Sequence, residues 1–406
     1  MKKIVSMIIF GVILVTSILG CGKSGTDIKE NTENSIVIWA NLNTNEIEEL
    51  QKIADKWEKN NEKEVIIYST SATGTDFIET AKSSKPDMFF GVSAEDVGRL
   101  SKAGACAEIS EDFISQNEYI SEDLIKATSM DGKQIGVPVT QETVALYYNK
   151  DIVSEVPETM EEVVNIAKDK GMAFEVTNYY FSYGFVLSQG GYTYKENEDG
   201  SYNINDLGVN NEGAIKGYKF LQDLTNSKDG ILGGITDYLA STKFSEGKTA
   251  FYIGESGRIR TFDNAKINYG ITKIPTLNGK EVTPYKYVRM AIVSEDSDKK
   301  DETFSLLKEF IQKSDEIFMK TGPYAPVYAK SLDTDAYKNN EKLQVLLDEC
   351  NSGVLLPNNL ENEAINMVMS GVLTKLVQEE ITPEECGKEL EKEIPETIDD
   401  VLTYDD

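Results

Sequence analysis

The sequence predicts an α/β protein in which mostly parallel sheets are flanked by helices and the chain is divided into two domains. Strand-like apolar runs alternate with stretches of helical periodicity along most of the chain, and this alternation is typical of parallel sheets. About 385 of the 406 residues follow residue 21, which is more than one hydrophobic core usually accommodates. No long linker is visible, so we expect the chain to cross between the domains more than once.

The first elements alternate as this fold class requires. They are the strand 36–40, a helix over about 45–59, the strands 65–68 and 88–90, and a helix from about 94 that ends at Gly104. In the first helix Leu50, Ile53 and Trp57 recur at helical spacing, which predicts one buried face. Gly104 is a typical residue for the position after a helix.

A central strand is predicted at Val144–Tyr148, where five apolar residues stop at the polar turn 149–151. Glu142 stands just ahead of this run. Ligands in open α/β sheets bind in crevices at strand ends, so the end of this strand is a candidate binding site. An ordinary buried strand is the alternative interpretation of the same residues.

The second half continues the alternation before the chain becomes helical. Predicted helices cover 211–225 and 237–246, and predicted strands cover 249–253 and 287–293. Phe304, Leu307 and Ile311 mark another helix. The segment 382–385 (TPEE) combines an N-cap threonine with proline and glutamate at the first and third helical positions, and it predicts the start of a C-terminal helix.

The N-terminus has the pattern of an export signal. Two lysines precede the sixteen-residue, mostly apolar run Ile4–Leu19, which is shorter than the roughly 20 residues that span a bilayer. The run ends in Ile18-Leu19-Gly20-Cys21, which resembles a bacterial lipobox. We therefore expect a signal peptide at 1–20, an acylated Cys21, and a flexible tether over 21–35 that holds the protein on the extracellular face of the cell membrane, as in Gram-positive lipoproteins. A plain secretory peptide with an incidental cysteine is the alternative.

Composition excludes several classes of function. The formal net charge is −28 and histidine is absent. The sign of this charge argues against nucleic acid and against direct adhesion to anionic lipid. The lack of histidine excludes Ser-His and Cys-His nucleophile pairs and histidine metal sites, so we expect no cofactor and no metal. Cys106, Cys350 and Cys386 match no zinc or redox motif, although a Cys350–Cys386 bridge stays open.

The central strand belongs to a longer motif that resembles the signature of the type 1 family of extracellular solute-binding proteins. The motif positions are filled by Pro138, Val139, Thr140, Ala145, Leu146, Tyr147, Tyr148, Asn149, Val153 and Glu155. The wider chain resembles the maltose/maltodextrin-binding proteins of bacterial ABC importers over nearly all of 36–402. The stretches that carry this likeness are 36–39 (IVIW), 86–91 (PDMFFG), 190–209, 236–253, 268–280 (NYGITKIPTLNGK) and 356–358 (LPN).

The resemblance implies a two-lobed fold of the type II periplasmic-binding-protein class, with several crossovers and a ligand cleft between the lobes. Lobe 1 is expected to hold 36–140 and 289–340, and lobe 2 to hold 141–288 and 341–402. The implied protein is a monomer that binds an oligosaccharide, delivers it to ABC permease subunits and catalyses no reaction.

The resemblance also implies a set of ligand contacts. The positions are Asn43, Thr44, Glu95, Asp96, Glu142, Asn178, Tyr180, Tyr238, Ser256 and Asn366. Carboxylates and amides suit sugar hydroxyls because charge-assisted hydrogen bonds are strong, and tyrosine rings suit the apolar faces of sugars. Gly91, Ser256 and Asn366 stand where the family has tryptophans that stack on glucose, so the identity of the sugar stays open.

Three rival functions remain at the level of the sequence. A cleft with many acids and few tryptophans would also suit another oligosaccharide, a polyamine or a metal ion. Paired carboxylates could instead cleave glycosides. An adhesin or scaffold would bind no small molecule.

Overall fold

The computed structural model describes residues 32–70, 74–115, 118–197, 202–226, 231–232, 234–322 and 324–404. The predicted signal peptide, Cys21 and the tether as far as residue 31 lie outside these ranges. Ser35, which the sequence assigns to the tether, is buried and is the first residue of a strand. No helix within the described ranges combines the length and apolar character needed to cross a membrane.

The strands are short except for two. They are β1 (Ser35–Ala40), β2 (Glu64–Ser69), β3 (Met88–Val92), β4 (Ser129–Met130), β5 (Lys133–Gln134), β6 (Val137–Asn149), β7 (Met172–Ala173), β8 (Lys195–Glu196), β9 (Tyr202–Asn203), β10 (Ile231–Leu232), β11 (Phe251–Glu255), β12 (Tyr269–Thr272), β13 (Tyr285–Val293) and β14 (Val354–Leu355).

Helices fill most of the chain between the strands. They are α1 (Thr44–Asn61), α2 (Gly74–Ser84), α3 (Ala94–Lys102), α4 (Glu111–Ser115), α5 (Glu122–Ala127), α6 (Met160–Lys170), α7 (Tyr179–Gln189), α8 (Glu212–Asn226), α9 (Asp237–Ser245), α10 (Ile259–Ala265), α11 (Lys300–Ile311), α12 (Ser314–Thr321), α13 (Asp335–Lys338), α14 (Glu341–Ser352), α15 (Glu361–Val377) and α16 (Pro383–Tyr404).

One mixed sheet organises the molecule. Its strand order is β10-β7-β11-β6-β13-β3-β1-β2, with β12 paired to β6 and β14 paired to β13. The pairs toward the two edges are parallel, as in β1–β2, β1–β3, β7–β10 and β7–β11. The central pairs β6–β11, β6–β13 and β3–β13 are antiparallel. The predicted α/β class is therefore confirmed, and the antiparallel pairs arise where long strands cross between the halves.

Strand β6 links the two halves of the sheet. Its first part, through Thr143, pairs with β13, whereas its second part, from Val144 onward, pairs with β11 and β12. The predicted strand at 144–148 is thus correct but too short, since the polar residues Thr140–Thr143 are also strand. Hydrophobic periodicity does not reveal them because their side chains are polar and yet buried. Glu142 consequently lies inside the strand, not ahead of it.

Two large hydrophobic cores flank this crossing. One packs β1, β3 and part of β13 against α1, α11 and α12. The other packs the second part of β6 against α6, α7, α8, α15 and α16. Each fully buried large apolar side chain stabilises its core by roughly 1.5–3 kcal/mol. Two separate cores joined by shared strands are the arrangement of a two-lobed protein.

Most predicted elements are confirmed to within a few residues, and their ends follow the expected chemistry. Thr382 and Glu385 form the expected capping box, because the N–H of Glu385 donates to Oγ1 of Thr382 and the N–H of Thr382 donates to Oε2 of Glu385. Gly104 follows α3 with φ +66°, a conformation that favours glycine.

Candidate functional site

The crossing of β6 and β13 carries a buried ion pair. Glu142 on β6 lies opposite Tyr287 on β13, and Arg289 lies two residues further along β13. Nε of Arg289 is 2.6 Å from Oε1 of Glu142, and the two side chains are 19% and 1% exposed. Because residues two apart on a strand point to the same face, Tyr287 and Arg289 border the same space as Glu142.

Arg289 has two further contacts, with the loop after β1 and with Tyr324. Its Nη1 donates to the carbonyl oxygen of Asn41, in the loop that follows β1, at 3.3 Å. Its guanidinium carbon lies 5.4 Å from the centre of the Tyr324 ring. Burial is the largest single effect and lowers the pKa of Arg289, but the Glu142 carboxylate together with Tyr287 and Tyr324 raises this pKa above its ordinary value. Arg289 is therefore a fixed positive charge.

A second carboxyl, Glu255, reaches the same place from the end of β11. Residue 255 pairs with Val144 on β6. Burial chiefly, with help from the neighbouring Glu142 and Asp237 carboxylates, raises the pKa of Glu255 to about 7, against the opposing effect of Arg258 and Arg289. Near neutral pH this carboxyl is consequently divided between its neutral and ionised forms.

A third carboxyl, Glu46, comes from the first turn of α1. Its Oε2 accepts the N–H of Asn43 at 2.9 Å, and Oδ1 of Asn43 accepts the N–H groups of Asn45 and Glu46. Burial is the main cause of a raised pKa of Glu46, and Glu142 raises it further while Arg289 opposes it. Asn43, a predicted ligand contact, thus caps α1 and holds Glu46 within electrostatic range of Glu142 and Arg289.

Helix α7 contributes an aromatic side chain to the same region. Asn178, another predicted contact, caps this helix by accepting the N–H of Tyr180 at 3.0 Å. The Tyr180 ring packs edge-on against Tyr287, with ring centres 5.4 Å apart. Tyr180 is thereby placed beside Tyr287, where burial chiefly, with help from Tyr287 and the Glu142 carboxylate, raises the pKa of its hydroxyl.

Several polar atoms here are buried without a partner. Within the described part of the chain, the hydroxyls of Tyr180 and Ser256 and Oε1 of Glu46 make no hydrogen bond, and Oε1 of Glu142 and Nε of Arg289 face each other without hydrogen-bond alignment. Buried polar groups in proteins are nearly always paired, so an unpaired cluster needs a specific explanation.

The remaining predicted contacts are more dispersed. Asp96 is buried in the first turn of α3, where it accepts the Ser93 hydroxyl at 3.4 Å. Thr44 is exposed at the start of α1, and the side chain of Glu95 lies outside the described part of the structure. Tyr238 on α9 is 71% exposed and Asn366 on α15 is exposed. Neither of these last two makes a hydrogen bond or ring contact with the ion pair among the described residues.

The backbone at Gly91 explains why this chain has no tryptophan at that position, where the resemblance implies one. Its φ is +77°, and an added Cβ would lie 2.9 Å from Cδ2 of Leu42 and 3.0 Å from the carbonyl oxygen of Asn41. No larger side chain fits this backbone. Because Asn41 also receives Arg289, the glycine lets the loop after β1 close on the arginine.

Five members of the cluster escape the sequence-based prediction, namely Glu46, Glu255, Tyr287, Arg289 and Tyr324. Arg289 has a usable signal, since it is a single charge within the strand segment YVRMAIV. Glu46 and Glu255 have none, because 69 acidic residues are present and most acids are solvated.

Other sites of chemistry are not evident in the described residues. No group of three or more histidine, cysteine or carboxylate side chains is arranged there to hold a metal ion. Cys106, Cys350 and Cys386 are free thiols. Cys350 and Cys386 therefore form no disulfide bridge with each other in this structure.

Two cores joined by crossing strands, with a cluster of polar groups buried at the crossing, define a two-lobed ligand-binding protein. The family model for bacterial extracellular solute-binding proteins matches residues 52–345. The chain belongs to this family.

Relatives agree on the class of protein. The chain is 36% identical to the galactooligosaccharide-binding protein of Bacillus subtilis over 182 residues, which span 42% of this chain and 43% of that protein. It is 27% identical to a maltooligosaccharide ABC transporter solute-binding lipoprotein of Streptococcus pneumoniae, over 70% of this chain and 71% of the relative. It is also 27% identical to the maltodextrin-binding protein MdxE of Bacillus subtilis, over 67% and 69%.

A solved structure supports the same fold. The maltose-maltodextrin binding protein of Alicyclobacillus acidocaldarius superposes with a TM-score of 0.82 at 25% identity, covering 89% of this chain and all of that one. The expected type II two-lobed fold is therefore confirmed.

Proposed function

We propose that this protein captures a neutral oligosaccharide of the maltodextrin kind by closing two lobes around it and delivers it to an ABC permease. The observation that carries the proposal is the buried, unpaired polar cluster around Glu142 and Arg289. Relatives named for maltooligosaccharide and maltodextrin binding support the ligand class.

The cluster offers what a sugar needs. Carboxyl groups of Glu46, Glu142 and Glu255 accept hydrogen bonds from hydroxyls, and the Arg289 guanidinium and Tyr180 hydroxyl donate. Tyr180 and Tyr287 offer aromatic surface to the C–H faces of a ring. The exposed Tyr238 remains a predicted stacking residue at the edge of the cleft.

Closure of the lobes is expected because each lobe supplies only part of the ligand contacts. We keep the boundaries 36–140 plus 289–340 and 141–288 plus 341–402 as part of the proposal, and the two separate cores support them. A ligand shifts an open–closed equilibrium only by its differential affinity for the two states. Two hydrogen bonds made only on closure, at about 1–2 kcal/mol each, change the closed fraction tens- to hundreds-fold.

The anchoring and the partners complete the proposal. Acylated Cys21 and a short tether hold the protein at the extracellular membrane face, and the streptococcal relatives named as lipoproteins support this. The protein acts as a monomer, presents its closed form to the permease subunits and has no enzymatic activity.

The particular sugar has two candidates. The relative with the highest identity reported above is named for galactooligosaccharides, whereas the matches of greater coverage are named for maltooligosaccharides. Thermal-shift measurements with maltotriose, maltotetraose, a galactotriose, spermidine and Fe(III) distinguish these ligands. We expect the melting temperature to rise with one saccharide series only. A response to spermidine or Fe(III) alone would refute the proposal.

The substitution Glu142→Gln tests the site itself. It removes the charge that strengthens hydrogen bonds to sugar hydroxyls, so we expect the affinity for the bound saccharide to fall at least tenfold, as measured by titration calorimetry. Asp87→Asn is the control, because it breaks a buried ion pair elsewhere in lobe 1. Unchanged affinity in folded Glu142→Gln would remove Glu142 from the site.

A further inference from the structure

Charge at the crossing is unevenly distributed. Three carboxyl side chains, those of Glu46, Glu142 and Glu255, act electrostatically on one another or on Arg289. Asp237 is close to Glu255 but is already engaged, since Tyr252 donates its hydroxyl to Oδ1 and Nε of Arg258 donates to Oδ2. Arg258 is therefore paired with Asp237, and its charge also lowers the pKa of Glu255.

Arg289 is the cation in direct contact with Glu142, whereas Arg258 and Arg260 act on Glu255 and Glu46 through their charge. It contacts Glu142 at 2.6 Å and opposes the pKa increases of both Glu46 and Glu255. Asn41 and the Tyr324 ring hold it in place, so its charge does not depend on a bound ligand. The acids consequently face a permanent counter-charge inside the cleft.

A binding site discriminates between ligands by the difference of their affinities, and an unfavourable charge against the wrong ligand contributes as much as contacts to the right one. A polyamine entering this cleft would bring ammonium groups beside the Arg289 guanidinium. Like charges in a buried site repel strongly because screening is weak there. An uncharged saccharide meets no such repulsion and can use both members of the ion pair.

We propose that Arg289 is a specificity-determining residue that keeps this acid-rich cleft selective for uncharged, hydroxyl-rich ligands and closes it to polyamines. The inference rests on the proposed function and deepens it, because it assigns the choice between neutral and cationic ligands to one side chain. Removal of the charge leaves Glu142 buried and unpaired, and a cationic ligand would then supply the missing partner.

The test measures spermidine and maltotriose binding by calorimetry on the wild-type protein and on Arg289→Met, at 0.15 M salt to suppress binding to the acidic surface. We expect no saturable spermidine binding to the wild type. Arg289→Met should bind spermidine at least tenfold more tightly than the wild type and lose at least tenfold in maltotriose affinity. Excess maltotriose should compete with the bound spermidine.

Two further variants make the result specific. Arg289→Met combined with Glu142→Gln removes both charges and should lose the acquired spermidine binding. Lys286→Met is the matched control, because Lys286 is a buried cation on the same strand that pairs with Asp123 outside the cluster. It should acquire no spermidine binding. If Arg289→Met does not fold, Arg289→Gln takes its place, since glutamine keeps a donor for Asn41.

The outcomes separate the two proposals. A wild-type protein that binds maltotriose, together with a folded Arg289→Met that acquires no spermidine binding, would overturn the role of Arg289 and leave the proposed function standing. Spermidine binding that appears equally in Lys286→Met would also overturn it. A wild-type protein that binds spermidine and no saccharide would refute the function itself.

Discussion

Two ion pairs that involve the central strands, Asp87–Lys299 and Glu142–Arg289, contrast in how completely they are satisfied. Asp87 pairs with Lys299 at 3.1 Å and also accepts the N–H of Val37 and the hydroxyl of Ser297. Lys299 donates in addition to the carbonyl oxygens of Thr32 and Ser35. The pair is surrounded by protein partners and joins β1 to the segment that follows β13.

The Glu142–Arg289 pair is somewhat less buried, since the Arg289 side chain is 19% exposed and that of Lys299 is 10% exposed, and it is incomplete. Its facing atoms lack hydrogen-bond alignment, and the neighbouring groups on Glu46, Tyr180 and Ser256 have no partner in the described structure. A buried ion pair costs desolvation energy that only further hydrogen bonds offset. Burial alone therefore does not distinguish a structural pair from a binding site, whereas the state of the surrounding polar groups does.

The largest expected effect comes from breaking the complete pair. Asp87→Asn leaves Lys299 buried without its counter-charge, and removing one partner of such a pair typically costs about 3–5 kcal/mol. We expect urea unfolding to show a loss of this size, while the saccharide affinity of the folded protein stays within twofold of the wild type. A stability within 1 kcal/mol of the wild type would show that the satisfied pair contributes little.

A third buried carboxyl sharpens the comparison because a proton, not a cation, neutralises it. Oε1 of Glu349 accepts the N–H of Ile274 at 3.0 Å, and burial raises the pKa of Glu349 to about 8. The folded protein therefore holds this proton between pH 4.5 and 8, where the unfolded chain releases it. Stability from this group is complete below pH 4.5 and is lost as the pH rises through 8.

The corresponding prediction concerns the slope of stability against pH. Glu349→Gln should flatten the fall in unfolding free energy between pH 5 and 8 by about 1 kcal/mol per pH unit, since one proton of difference changes stability by about that amount. Urea titrations of both proteins at each pH measure it. Parallel curves for the two proteins would mean that Glu349 is ionised when buried.

The smallest change in free energy is expected at the Arg99–Glu363 pair, which is less buried than either pair compared above. Arg99 on α3 donates to Glu363 on α15 at 2.6 Å, and Gly98 packs against the backbone of Leu360. This contact joins elements assigned to different lobes, yet Glu363 is one-third exposed. Arg99→Met should weaken saccharide binding by about 1 kcal/mol, because a partly exposed pair contributes little more.

A charge exchange checks that last prediction. Arg99→Glu combined with Glu363→Arg should restore most of the affinity lost in Arg99→Met, as measured by calorimetry. If neither Arg99→Met nor the charge exchange alters the saccharide affinity, the Arg99–Glu363 contact is present in the open and closed forms alike.

The fold was largely predictable from the sequence, and the site only in part. Periodicity and capping residues place α1, α8 and α16 well because these are local properties of the chain. Resemblance locates Glu142 and Tyr180, which lie in the cluster. Neither approach finds Glu46 or Glu255, because their type and spacing do not differ from those of solvated acids.

What the sequence determined by itself was the α/β class and the family motif, since each rests on residues close together in the chain; the N-terminal pattern predicts an export signal on the same local basis. The tertiary structure alone decided which charges meet. Glu142 and Arg289 are 147 residues apart and become neighbours only because β6 and β13 pair in one register. The sequence contains the charges, but their effect depends on distance and burial, and both are products of the fold.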